Sequence, residues 1–292
     1  MGGTRQLATL VGFSAIVMWA LLALLTVRTG AVPPFQLTAM CFALSGGIGL
    51  VRWLFIPSAR AALRQPPAVW ITGVAGLFLY HAFYFTALRN APAVDASLIA
   101  YLWPLFIVLF SSLLPGERLL AAHLAGAGMG LAGAALIVTG RGSVDLDPAH
   151  AVGYLAAFAC ALTWSGYSVL SRRFAEAPTD VVTGFCLATS VLSLACHLAL
   201  EPTVWPASAS QWLAVAGLGL LPVGLAFFTW DYGVKHGDIQ LLCVLSYAAP
   251  LLSTLILIAA GEAAPTWRIA AACLLITGGA LIAARAGKRK TA

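Results

Sequence analysis

The chain has 292 residues, of which 61% are hydrophobic and 9% charged, with a formal net charge of +6 at pH 7. A soluble domain carries roughly 25% charged residues, so most of this chain cannot face water and a separate soluble domain has no room. The class left is an all-α integral membrane protein, because helices satisfy their own backbone hydrogen bonds in lipid.

Apolar runs of about 20 residues, the length of a membrane-crossing helix, recur between short loops holding Pro, Gly and charges. In chain order they predict ten helices, at 8–27, 35–55, 69–89, 95–114, 122–140, 151–171, 180–199, 211–234, 239–259 and 267–286. The first follows Arg5 as a signal peptide would, but it runs unbroken from Leu7 to Val27 without a clear small-residue cleavage site, and is read as a retained helix. With the N-terminus inside, the cytoplasmic segments hold Arg5, Arg52, Arg60, Arg64, Arg118, Arg172, Arg173, Lys235, Arg285, Lys288, Arg289 and Lys290. The outer segments hold only Arg28, Arg89, Arg141 and Arg268. Basic residues concentrate on the cytoplasmic side, so both termini are placed there. The positive charge then reflects topology rather than nucleic-acid binding.

Several residues read as structural. The six cysteines, Cys41, Cys160, Cys186, Cys196, Cys243 and Cys273, all fall in apolar spans without metal-ligand spacing and are expected to be small buried hydrophobes. Asp231 and Lys235 stand i, i+4 at the end of the eighth span, the spacing of a local ion pair. Glu117 and Glu262 follow glycines at helix ends, near the interface. Gly126, Gly130 and Ala134 form a small-residue stripe, used for packing within one chain or between two.

The second half repeats the first at an offset of about 145. Trp19, Pro33, Thr38, Cys41 and Ser45 fall on Trp164, Pro178, Thr183, Cys186 and Ser190. Arg89, Tyr101 and Pro104 fall on Lys235, Tyr247 and Pro250, and Gly116-Glu117 falls on Gly261-Glu262. The repeat units are residues 7–140 and 151–286. Five helices is an odd number, so the second unit enters the membrane from the opposite side, the inverted arrangement found in transporters.

Candidate binding residues are the polar and aromatic groups deep in the spans. His81 lies mid-span, with Tyr80 and Tyr84 sharing a helix face beside it; it either faces a solute or bonds a neighbouring helix. The fourth span offers Ser97, Tyr101 and Pro104 at i, i+4 and i+7, with Trp103 adjacent, and the ninth repeats the spacing with Cys243, Tyr247 and Pro250. Each proline frees the carbonyl four residues back, on Ala100 and Ser246, and marks a kink. Trp19 and Trp164 lie near the midplane, away from the interfacial belts where Trp normally collects. These aromatics predict a box for an apolar or aromatic ligand, with Trp faces able to attract an ammonium. No HExxH, GxSxG or Walker loop occurs, so no catalytic residue, metal or cofactor is predicted. A membrane enzyme pairing Ser165 or Ser168 with His81 is the alternative from another class.

Ten helices, two five-helix copies, the stretch Tyr101-Leu102-Trp103-Pro104-Leu105 and the Gly-Glu pairs at 116–117 and 261–262 resemble the EamA-type branch of the drug/metabolite transporter superfamily. Within it, Tyr80-His81 and Tyr101–Pro104 are most similar to the bacterial aromatic amino acid exporters. The resemblance implies an inner-membrane protein with a central cavity lined by helices one, three, four, six, eight and nine, working as a monomer or homodimer on a small solute. The small multidrug members carry a carboxylate in their first helix, whereas Gly12 to Val27 holds none. Facilitated export of aromatic and other neutral amino acids by alternating access is the expected function, with other neutral metabolites or drugs as the alternative.

Overall fold

The computed structural model describes residues 2–140, 147–261 and 264–288. Arg141, Glu262, Arg289 and Lys290 lie outside the described residues. Ten helices are long and apolar enough to cross a membrane: α1 (Gly3–Val27), α2 (Pro34–Phe55), α3 (Pro67–Asn90), α4 (Ala93–Ser111), α5 (Ala121–Thr139), α6 (Pro148–Arg173), α7 (Thr179–Leu200), α8 (Ala209–His236), α9 (Ile239–Ala259) and α10 (Trp267–Arg285). The ten spans follow the apolar runs of the sequence. Local chemistry sets their ends. Pro34 and Pro67 open α2 and α3, each after an extended proline, where a missing N–H costs nothing. The side chains of Ser208 and Asp238 accept bonds from the backbone N–H groups of Gln211 and Leu241, capping α8 and α9. Gly116 and Gly261 turn the chain after α4 and α9 at φ 79° and 76°, a region that favours glycine.

The helices pack chiefly as four pairs: α1 with α8, α2 with α7, α3 with α6, and α5 with α10. Small residues permit the close crossings. Gly12 of α1 meets the Cα of Gly233 in α8, and Gly126 of α5 meets the carbonyl of Gly279 in α10, so a Cβ at any of these positions would collide. The stripe Gly126, Gly130 and Ala134 is thus spent within the chain, with Gly130 seated on the ring of Tyr247.

Polar contacts close the two ends of the bundle in different ways. At the terminal face, where α1 starts and α10 ends, Glu117 bonds Arg172 at 2.9 Å, while Arg5 reaches Asp238 at 3.2 Å and Glu117 at 3.8 Å. Asp231 and Lys235 form the expected i, i+4 pair at 2.8 Å, fully buried, with Thr179 donating to the same carboxylate. At the far face the carboxylate of Glu201 accepts from Arg89 and from the backbone of Phe35 and Gln36, so it ties the α2–α7 pair to α3. Cysteine burial departs from the expectation at two positions. Cys273 is exposed and Cys196 is only half-buried, while the other four are buried; both face outward on α10 and α7, where the surrounding surface is apolar rather than packed.

Candidate functional site

Three helix irregularities shape the centre of the molecule. Helix α4 breaks at Tyr101-Leu102, between helical segments Ala93–Ala100 and Trp103–Ser111, with Pro104 as second residue of the latter. Helix α9 breaks at Tyr247, between Ile239–Ser246 and Ala248–Ala259, with Pro250 three residues on. Both breaks fall where the prolines predict them. In α8 the residues Leu221–Leu225 form a single π turn, a widening that helices use at functional positions. This turn presents the Pro222 carbonyl sideways, and the indole N–H of Trp19 donates to it at 3.1 Å.

Around these breaks α1, α3, α4, α6, α8 and α9, with the end of α5, enclose a cavity of about 640 Å³, within the range of small-molecule sites. It runs outward from Trp19 to Val27 on α1 and from Tyr80 to Leu88 on α3, so it opens to the far face. Trp19, Tyr80, His81, Tyr84, Ser97, Tyr101, Trp103, Trp164 and Pro250 all line it. Two expected binding residues do not: Ser246 donates to the carbonyl of Leu242 in its own helix, and Tyr247 is fully buried against α5. Pro104, expected as a kink, is buried at the α4 break.

The floor is a cluster of four tryptophans. Trp19 meets Trp164 edge-on at 5.6 Å and Trp103 at 6.3 Å, while Trp164 stacks on Trp230 at 6.1 Å. One wall is the parallel pair Tyr80 and Tyr84, with ring centroids 6.2 Å apart and planes 2° from parallel. Edge-to-face and offset contacts of this kind hold rings in fixed positions, which makes a preformed aromatic surface. His81 lies beside it, edge-on to Phe42 at 5.2 Å. Its Nδ1 is 2.7 Å from the Leu77 carbonyl; a carbonyl only accepts, so Nδ1 carries a proton. His81 is therefore both anchored to its own helix and part of the cavity wall. Among the described residues that line the cavity there is no Asp, Glu, Lys or Arg. Such a lining suits a neutral or zwitterionic solute with a large apolar part, since a bare charge would lack a counter-ion.

Phe227 and the Pro222 carbonyl belong to this site but were not among the sequence candidates. The repeat carried the signal for Phe227, which sits 146 residues after His81 and packs against Phe42, His81 and Trp164. Trp230 was also missed; it lies 146 residues after Tyr84.

The family comparison finds EamA-like transporters over residues 6–139 and again over 151–285. This chain belongs to the EamA-like transporter family. Within that family it is 57% identical to the aromatic amino acid exporter YddG of Ancylobacter novellus over 287 residues, covering 98% of this chain and 100% of that one. It is 29% identical over 237 residues to the pseudopaline exporter CntI of Pseudomonas aeruginosa, covering 80% and 78% of the two chains. A solved crystal structure with 58% sequence identity superposes on this EamA-like chain with a TM-score of 0.91, over 96% of this chain and 97% of that one.

Proposed function

We propose that this protein exports aromatic and other neutral amino acids through the central cavity, as a facilitated uniporter working by alternating access, with its terminal face in the cytoplasm. The observation that carries the reading is the aromatic cavity, open to the far face and closed beneath the tryptophan floor. An aromatic side chain can lie between the Tyr80–Tyr84 wall and the tryptophans. The ammonium meets ring faces and backbone carbonyls at the helix breaks, and the carboxylate meets the hydroxyls of Ser97 and Tyr101. The two halves, 7–140 and 151–286, act as inverted repeats. The self-matching helix pairs α2–α7 and α5–α10, and the exchange of α1–α8 with α6–α3, support that arrangement. A monomer suffices for such a cycle.

Two features favour uniport over proton exchange and over enzymology. The first helix holds no carboxylate, and among the described residues that line the cavity there is no Asp or Glu to relay a proton. Ser165, a possible nucleophile, donates toward the Ala161 and Trp103 carbonyls, and Ser168 accepts from Trp230. Neither is paired with His81. The deciding measurement is flux of labelled phenylalanine or tryptophan into proteoliposomes, with and without an imposed pH gradient, for the wild type and His81→Ala. Saturable flux that ignores the gradient is expected. Gradient-driven flux lost in His81→Ala would replace uniport by histidine-linked coupling, and no flux above empty liposomes from folded protein would move the reading to other neutral metabolites or drugs.

A further inference from the structure

Helices α4 and α6 run side by side toward the terminal face, and the crevice between them ends in a pocket of about 410 Å³ lined by Leu114, Pro115, Arg172, Arg173 and Phe174. The pocket shares no lining residue with the central cavity. Its two arginines stand in opposite situations. Arg172 is spent, since its guanidinium bonds Glu117 and the carbonyls of Val234, Lys235 and Gly237 at 2.8–3.0 Å. Arg173, the last residue of the α6 span, is exposed and makes no hydrogen bond or ion pair with any described residue. No carboxylate lines the pocket among the described residues. An unopposed cation is thus left at the end of a membrane-crossing helix, the level at which lipid phosphates lie.

The surface that leads to this cation is apolar. On α6, Leu155, Phe158, Leu162, Gly166, Leu170 and Arg173 follow one another every three or four residues, so they form one stripe along the helix. Its leucines and Phe158 are 38–70% exposed. Helix α4 supplies the facing wall: Phe106 stacks on Phe110 at 5.8 Å and meets Phe158 edge-on at 5.6 Å, and Leu113 stands exposed beyond them. Gly166 interrupts the stripe with a notch. It has open space where its Cβ would be, so the close helix crossing that accounts for Gly126 and Gly279 does not account for it.

We infer that this crevice holds one anionic phospholipid, with its phosphate on Arg173 and an acyl chain along the α6 stripe over Gly166. The continuity of the two surfaces selects the ligand: an acyl chain answers the stripe and a phosphate answers the cation at its end, whereas a soluble anion leaves the stripe uncovered. On the orientation proposed above the terminal face is the cytoplasmic one, and basic pockets between membrane helices on that side take anionic headgroups. A choline headgroup would bring an ammonium beside two arginines, a like-charge contact. A headgroup of net negative charge, as in phosphatidylglycerol, avoids it. The inference does not depend on which solute the central cavity carries.

Native mass spectrometry of the purified full-length chain in detergent reads the occupancy, with phosphatidylglycerol and phosphatidylcholine of the same acyl chains supplied in equal amounts. Wild type should retain one phosphatidylglycerol in preference to phosphatidylcholine. Arg173→Gln should lower that adduct about five-fold, the contribution of one arginine at an anionic lipid surface. Gly166→Leu fills the notch where no protein atom stands, so it should lower the adduct while the melting temperature of the lipid-free protein is unchanged. Arg28→Gln is the comparison: Arg28 is an exposed arginine after the α1 span that lines neither pocket, and its loss should leave the adduct as it was. Equal loss in Arg28→Gln and Arg173→Gln would overturn the inference by reducing the effect to net charge, and an undiminished adduct in Arg173→Gln or Gly166→Leu would overturn it as well. Inorganic phosphate that raises the melting temperature as much as phosphatidylglycerol does would overturn it too, by making the pocket a site for a soluble anion.

Discussion

Trp19 is the residue on which the site's geometry converges. Its ring touches Trp103, Trp164, Phe227 and Trp230, and its indole N–H donates to the π turn of α8. Trp19→Phe keeps a ring in place and deletes the donor. A neutral hydrogen bond contributes ~1 kcal/mol net, so phenylalanine flux below saturation should fall about five-fold without loss of folded protein. Trp164→Ala removes a ring that contacts Trp19, Tyr80 and Trp230 together. Aromatic pairs contribute roughly 0.5–1.5 kcal/mol beyond their burial, so here flux should fall more than about ten-fold. Proteoliposome flux measures both, with melting in detergent as the folding check. Normal flux in both variants would dissolve the aromatic box.

Among the elements, the crossing of α5 and α10 tests how far small residues decide the packing. Gly126 and Gly279 put backbone against backbone, and Gly128, one turn face away, has open space where its Cβ would be. Overpacking a close contact costs about 1–3 kcal/mol, so Gly126→Leu should lower the melting temperature in detergent while Gly128→Leu leaves it unchanged. Equal effects would mean the crossing tolerates separation. The ten spans and the breaks of α4 and α9 were legible in the sequence because each has a local cause: apolar length for the spans, and a proline three residues beyond a tyrosine for the breaks. The π turn of α8 was not, because Pro222 announces an irregularity without saying which carbonyl turns toward Trp19. Nor was the burial of Asp95 against Tyr154 of α6, which depends on how α4 is rotated. Ser246 and Tyr247 show the limit most directly. They fall 146 residues after Ala100 and Tyr101, yet they are buried, because spacing along a helix does not say which neighbouring helix will cover that face.

For the whole molecule the question is what holds it in the shape that opens to the far face. The α2–α7 ends are tied on both faces, by Arg52–Asp180 at 2.6 Å and by Glu201. Ties of that kind hold a pair together and do not distinguish its two tilts. On the proposed alternating-access cycle, the contacts that would distinguish them cross between α1, α4, α6, α8 and α9 at the terminal face, and Glu117 is their hub, bonding Arg172 and lying within reach of Arg5. Its side chain is 8% exposed, so solvent screens the pair little. Glu117→Gln removes the negative charge and leaves Arg172 on its three carbonyls. Weakening such a pair by ~2 kcal/mol moves a two-state equilibrium about thirty-fold away from the far-face-open shape. Labelling of Ser97→Cys from the far face by a membrane-impermeant thiosulfonate, read by peptide mass spectrometry, should therefore slow in the Glu117→Gln background. Arg52→Gln is the comparison, because Arg52 is half-exposed and a surface pair contributes about 0–1 kcal/mol. It should leave that rate unchanged. If Glu117→Gln behaves like Arg52→Gln, the terminal-face network is a staple common to both states, and the bias toward the far face must lie in the packing of the tryptophan floor instead.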